Sequence, residues 1–301
     1  MPIKASDLHV IGVVSNPRRY QSRTRLAKEW LARMNNSGAT IWLVEATFGE
    51  RDAEVADVNN PHHLIVRCDH ELWLKEALIN KGVRNLPPDW KHMMWCDADV
   101  EFTRENWAEE VVHGLQHYAT LQPFSHCVDM GPNKEIITTH SGFGYMYNQG
   151  LPFTPGQGTF WHCGFCWAYR RSAFDALGGL MDRAILGAAD HHMAAALIGH
   201  GEWTAPGDIN PAYMQMIKDW QSRADKLQYD MGHIPGTILH HYHGKKENRQ
   251  YVERWEILRR NDFNPNTDIS LDWQGLPQLN GNKPKLRDDL RRYFLDRKED
   301  S

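Results

Sequence analysis

Apolar residues along this chain fall into two alternating rhythms. His9–Ser15 (H-V-I-G-V-V-S) is a short β-branched run that reads as a buried strand, ended by the turn signal Asn16-Pro17. Arg23–Met34 then takes helical spacing, with Leu26, Ala27, Trp30 and Leu31 on one face. Thr40–Ala46 is a second strand and His63–Arg67 a third. His70–Lys81 is a helix with Leu72, Leu74, Ala77 and Leu78 turned inward and Gly82 as its stop. Lys91–Cys96 is a fourth strand, and Thr103–Tyr118 a helix that Thr103 would cap. Alternating strands and helices predict an α/β fold with a mixed, mostly parallel central sheet flanked by helices on both faces. Such sheets bind ligands beyond the carboxyl ends of their strands, which locates a site before any motif is read.

The rhythm breaks at Thr120. Gly-, Pro- and aromatic-rich stretches from Gly131 to Gly164 read as mixed strands and a long loop. Helices return at Arg171–Leu177 and Asp190–Ile198, and Leu286–Arg297 is a short amphipathic helix. The break near 120 separates a first half over about 1–120 from a second over about 121–260, and the family resemblance given below sets 260 as the end of this main domain, with an extension over 261–301.

Composition changes this picture little. The 301 residues carry a net charge of −4, which advertises no strong affinity for nucleic acid. No apolar run approaches the roughly 18 residues that span a bilayer. Five cysteines without a signal-peptide core argue for a reducing cytoplasm and no disulfide framework. Cys163-Gly164-Phe165-Cys166 has no second such pair, and its aromatic flanks suit a buried strand better than a zinc site. Twelve Trp and 17 His are more informative, the first as stacking surfaces and the second as ligands.

Candidate chemistry gathers at three places. Asp97 and Asp99 follow the apolar run Met93–Cys96 directly, and paired carboxylates past a buried strand suit a hard divalent cation. Such a cation neutralises a diphosphate leaving group. Asp190 opens a helix after the Gly178-Gly179 turn, as a helix cap, a general base, or both. His240-His241-Tyr242-His243-Gly244 follows Thr237-Ile238-Leu239. Alternation would place His241 and His243 on one face, a pair that favours Mn2+ over Mg2+ alone.

These features occur in an order that resembles GT-A glycosyltransferases: a first strand ending at Asn16-Pro17-Arg18, a second carrying Glu45, Asp97-Ala98-Asp99, then Asp190 and His241-Tyr242-His243-Gly244. The chain looks most like small family-2-type enzymes of bacteria and phages, to about residue 260. The resemblance implies a Rossmann-like GT-A fold and a metal-dependent transfer from a nucleotide sugar, with UDP favoured, to a hydroxyl acceptor, with an inverting outcome favoured and a retaining one left open. Asn16, Pro17, Arg18, Tyr20 and Glu45 would surround the base and ribose. Asp97 would contact the ribose or the phosphates, with Lys246, Arg18, Arg19 and Lys245 as phosphate contacts. Asp99 with His241 or His243 would bind Mn2+ or Mg2+, and Asp190 would be the base. Ala188-Ala189 departs from the Glu or Gly-Glu usual before this acid, which leaves the sugar open.

The acceptor implied by phage relatives is a 5-hydroxymethylpyrimidine in DNA. Lys245, Lys246, Arg249, Arg254, Arg259 and Arg260 are the face that would track its phosphates. Alternatives are transfer to a cell-envelope saccharide or lipid carrier, and a binding module without catalysis. The Gly142–Gly158 loop, with glycine hinges and aromatic residues, is a candidate lid.

Overall fold

The computed structural model describes residues 3–154 and 160–301. β1 (Leu8–Ser15), α1 (Gln21–Met34), β2 (Thr40–Phe48), β3 (His63–Cys68), α2 (Lys75–Val83) and β4 (His92–Cys96) follow the predicted order. Then come β5 (Val100–Phe102), α3 (Trp107–Gly114), β6 (Thr120–Gln122), β7 (His126–Met130), β8 (Ile136–Gly142), α4 (Phe143–Asn148), β9 (Trp161–His162), β10 (Cys166–Arg170) and α5 (Arg171–Leu177). The rest is α6 (Ala189–Ala196), α7 (Pro211–Ala224), β11 (Met231–His233), β12 (Thr237–His240), α8 (Arg254–Arg260), β13 (Ile269–Leu271), β14 (Pro277–Leu279) and α9 (Pro284–Asp296).

The main sheet has the order β11-β6-β10-β4-β1-β2-β3. Its pairings are parallel except those of β10, which runs against both β4 and β6. A core lies on each face. On one side Leu8, Val10 and Val14 of β1 meet Ala27 and Trp30 of α1 and Val111 of α3. On the other, Ile11 joins Ala77 and Leu78 of α2 and Leu177 of α5. The alternation of β1 thus feeds both layers, as a parallel sheet buried on two sides requires. Gly12 is needed there, because a Cβ would stand 2.3 Å from the Trp30 ring. The mixed, mostly parallel α/β architecture is the one expected from the sequence.

Connections leave β1 toward β2 and β3 on one side, while β4 lies on the other. The carboxyl ends of β1 and β4 therefore flank a topological switch point, where a crevice opens. A second sheet, β5-β12-β7-β8-β9, stands beside that crevice.

Several boundaries differ from expectation. α2 begins five residues later than the spacing implied, and α3 is shorter at both ends. The Thr103 hydroxyl donates to the Thr237 carbonyl at 2.7 Å rather than capping a helix, because β5 intervenes and ties this stretch to β12. Ala188, not Asp190, holds the cap position of α6. In the candidate lid, Phe143–Asn148 is helix and Phe143 is core, while residues 155–159 lie outside the described residues. Met214 and Met216 are partly buried and pack against the core. All five cysteines are free and buried. Among the described residues, no helix is long and apolar enough to cross a membrane.

Candidate active site and metal centre

A cavity of about 710 Å³ opens at the switch point, within the range of small-molecule sites. Its lining includes Asn16, Pro17, Arg18 and Tyr20 after β1, Asp97 and Asp99 after β4, Asp190 of α6, and His240, His243 and Lys246 from β12 and the stretch after it.

The register of the second sheet assembles its centre. β12 lies between β5 and β7, with His240 opposite Val100 on one side and Asp129 on the other. Asp99, one residue before β5, therefore falls beside His240. Asp99, His240 and His243 each turn a ligand atom into one space, all within 4.8 Å of one another. His243 Nε2 stands 3.0 Å from Asp99 Oδ2, and His240 Nε2 stands 3.8 Å from Asp99 Oδ1.

This arrangement fits a cation. Asp129 Oδ1 lies 2.7 Å from His240 Nδ1. Asp129 is held well below the usual carboxylate range. Burial pushes it upward, but hydrogen bonds with His140 and His240 and the Lys246 ammonium outweigh that. As a carboxylate it can only accept, so the proton sits on Nδ1 and the Nε2 lone pair of His240 points to Asp99. Burial lowers the His240 pKa and favours the neutral ring. Asp99 also stays ionised, since His240 and His243 outweigh the burial that opposes it. Its Oδ1 is nonetheless buried without a hydrogen-bond partner among the described residues. Facing lone pairs with nothing between them are costly unless positive charge joins them. Arg249 confirms the polarity of the place, with Nη2 donating to His243 Nε2 at 3.0 Å. One carboxylate and two imidazoles suit Mn2+ and other first-row divalent ions better than an all-oxygen site does.

His241 is not part of the centre, which corrects the expected His241/His243 pair. β12 ends at His240, so strand alternation does not extend to 243. His241 turns the opposite way, its Nε2 2.9 Å from Glu101 Oε2. Anchoring the alternation on buried Ile238 would have selected His240.

Asp97 is tied elsewhere. Lys75 Nζ reaches its Oδ1 at 2.6 Å and sits 4.1 Å from the Trp95 ring centroid. Burial, offset by Lys75 and reinforced by Asp99, raises the Asp97 carboxyl to about 6. Asp190 stands in the first turn of α6, where Oδ1 accepts the His191 N–H at 2.8 Å. The preceding Gly187 and Ala188 are both left-handed, with φ 86° and 76°. A Cβ on Gly164 would lie 3.1 Å from the other Asp190 oxygen, so this glycine keeps the carboxylate uncrowded.

The remaining predicted residues are mostly structural. Asn16 closes its own turn, accepting from the Tyr20 N–H and donating to the Tyr20 carbonyl, both at 2.9 Å. The Pro17 carbonyl accepts from Arg51 at 2.7 Å. Arg18 pairs with Glu71 at 2.6 Å and Arg19 with Glu54 at 3.0 Å. The Tyr20 hydroxyl donates to the carbonyl of Phe294 at 2.8 Å. Glu45 corrects another expectation, because it does not line the cavity. Its buried carboxylate accepts the N–H groups of Glu54, Val55 and Ala56 at 2.6–2.9 Å, which fastens the loop after β2. Glu45→Ala is expected to lower stability by about 2 kcal/mol, a common loss for charge-assisted hydrogen bonds. Mn2+ affinity should be unchanged. Chemical denaturation and metal titration check both.

The basic cluster does not form a phosphate-tracking face. Arg259 and Arg260 pair with Asp208 and Asp289, Lys245 lies 3.7 Å from Glu247, and Lys246 is bound to Asp129. Arg249 and Arg254 turn into the cavity. The sequence reading also missed Lys75, Asp129 and Glu299, and gave Arg249 to a DNA-tracking face although it lines the cavity beside His243. Asp129 had a signal, a carboxylate at the inward register of the alternating strand H-C-V-D-M.

No family model and no curated protein matches the chain. Solved structures do resemble it. The catalytic domain of Drosophila β1,4-galactosyltransferase 7 with xylobiose is 10% identical, with 91% of this chain and 92% of that one covered and a TM-score of 0.40. A mutant of the same enzyme with manganese, UDP-Gal and xylobiose is 11% identical, at 91% and 92% coverage and a TM-score of 0.42. The 4-diphosphocytidyl-2C-methyl-D-erythritol synthase of Anaerococcus prevotii is 9% identical, at 77% and 90% coverage and a TM-score of 0.36. Likeness at these scores carries no functional weight, and the site's own chemistry must supply it.

Proposed function

We propose that this protein is a metal-dependent glycosyltransferase of the GT-A type, moving a sugar from a nucleotide sugar, UDP-linked by preference, to a hydroxyl acceptor. One observation carries the reading. At the switch point, Asp99 Oδ1, without a hydrogen-bond partner among the described residues, converges with the lone pair of His240, and the same cavity holds a separate carboxylate, Asp190, outside the group formed by Asp99, His240 and His243.

Asp99, His240 and His243 would hold Mn2+ or Mg2+, with Mn2+ favoured by the imidazoles. The ion supplies positive charge for the diphosphate that leaves. Lys75 fixes Asp97 beside Asp99, and Arg249 adds a second cation at the same wall. Asp190 accepts the acceptor's hydroxyl proton as the oxygen attacks the anomeric carbon. The bond from that carbon to the phosphate oxygen breaks, its electrons leave with the nucleoside diphosphate, and the anomeric centre inverts. Hydroxymethylated DNA, implied by the phage resemblance, would need a phosphate-tracking face, and a small or saccharide hydroxyl acceptor fits the cavity without one.

The test is a screen of nucleotide sugars with Mn2+, read by donor hydrolysis and by transfer. Hydrolysis of at least one donor, abolished by EDTA and restored by Mn2+, is expected. Turnover indifferent to chelator would remove the metal role. Donor binding with neither hydrolysis nor transfer would make the protein a binding module.

A further inference from the structure

The segment after α9 returns to the cavity. Asp300 accepts the N–H groups of Gln21 and Ser22 at the start of α1, at 2.9 and 2.8 Å. The Lys298 N–H donates to the Tyr20 hydroxyl at 3.1 Å, and the Ser22 hydroxyl donates to the Glu299 carbonyl at 2.9 Å. Gly244 lies directly beneath, where a Cβ would stand 2.8 Å from the Glu299 Cα, and its φ of 86° already favours glycine.

This anchoring buries Glu299 to 2% exposure. Its carboxylate meets three groups. Arg23 and Arg297 form ion pairs with it, and its Oε2 faces His243 Nδ1 at 3.7 Å. That Nδ1 is buried and has no other partner among the described residues. The opposite nitrogen, Nε2, faces Asp99 and accepts from Arg249. The placement parallels that of Asp129 and His240, with a carboxylate on the side of one ring nitrogen and Asp99 on the side of the other, but the Glu299 contact, at 3.7 Å, is an ion-pair distance and not the 2.7 Å hydrogen bond of Asp129.

We infer that Glu299 is a positioning residue of the metal centre: it keeps the His243 proton on Nδ1 and so presents the Nε2 lone pair, beside Asp99, to a divalent cation. Carboxylates behind metal-bound imidazoles orient the ring and raise its basicity, and losing one commonly weakens metal binding 10- to 100-fold. Two of the three ligands are then backed by buried carboxylates from distant parts of the chain, Asp129 on β7 and Glu299 beyond α9. The inference rests on the metal reading of the preceding section.

The test measures Mn2+ affinity without donor, by the signal of free Mn2+ in electron paramagnetic resonance, alongside the melting temperature of the metal-free protein. Glu299→Gln is expected to weaken Mn2+ about tenfold or more. Asp300→Ala removes the anchor on α1 but leaves the Glu299 side chain, so it should lower the melting temperature with Mn2+ affinity within about twofold. Wild-type affinity in a folded Glu299→Gln protein would overturn the inference while leaving the metal site intact. Equal losses in both variants would also overturn it, reducing Glu299 to a fastening. A wild-type protein that does not bind Mn2+ would overturn the metal reading itself and this inference with it.

Discussion

Asp99→Ala is expected to abolish measurable Mn2+ binding and to lower sugar transfer by roughly a hundred- to a thousandfold, the scale of losing one preorganised charge-stabilising group. The size follows from where Asp99 sits. It is the sole carboxylate of the three-residue metal group, and it stands between both imidazoles. His240 would keep its Asp129 partner, so the protein should still fold, and circular dichroism would confirm that. The companion Asp97→Ala separates the two aspartates. Asp97 lies outside the metal group and is bound to Lys75, so its loss should weaken Mn2+ far less. Equal losses in the two variants would show that the pair acts as one site and would sink the division of labour.

Asp190→Asn should lower transfer by about a hundred- to ten-thousandfold, the usual contribution of a positioned base. Mn2+ and donor binding should hardly move, because Asp190 contributes no atom to the metal group. The isosteric change keeps the Oδ1 acceptor for the His191 N–H, so α6 should remain folded. A parallel fall in Mn2+ affinity would mean that Asp190 belongs to the metal's surroundings. Unchanged transfer would remove it from the chemistry.

Much of this was legible in the sequence where a side chain follows directly from local pattern. β1, β2 and β4 are short β-branched or apolar runs, and each ends near its expected residue. Asp97 and Asp99 could be placed because the strand before them is unambiguous. Asp190 could be placed because its helix is. The failures share another cause. Whether His240 or His241 faces the site depends on one residue of register at the end of a four-residue strand, where a slip reverses the face. Glu45 looked exposed at a strand's carboxyl end, but a loop nine to eleven residues away comes back to consume its carboxylate. Asp129 and Glu299 are separated from their histidines by 111 and 56 positions, and no local rule pairs them. Lys75 is a helix residue like any other until β4 is laid beside it. Local periodicity specifies elements, and only the packed sheet order specifies which polar ends meet.

The cavity's lining runs from Val13 to Glu299 and draws on strands, helices and turns from nearly every part of the chain between them. No contiguous fragment contains it. Partial openings that detach α1, the second sheet or the segment beyond α9 each dismantle the place where a ligand would be held. Anything bound there accordingly stabilises the whole molecule rather than a subdomain, since it binds the complete native state and none of those partly opened forms. Slow hydrogen exchange induced by occupancy would then spread through both sheets instead of staying near the pocket, and a chain caught before the segment beyond α9 has docked would have the strands of the site but no complete place for its ligand.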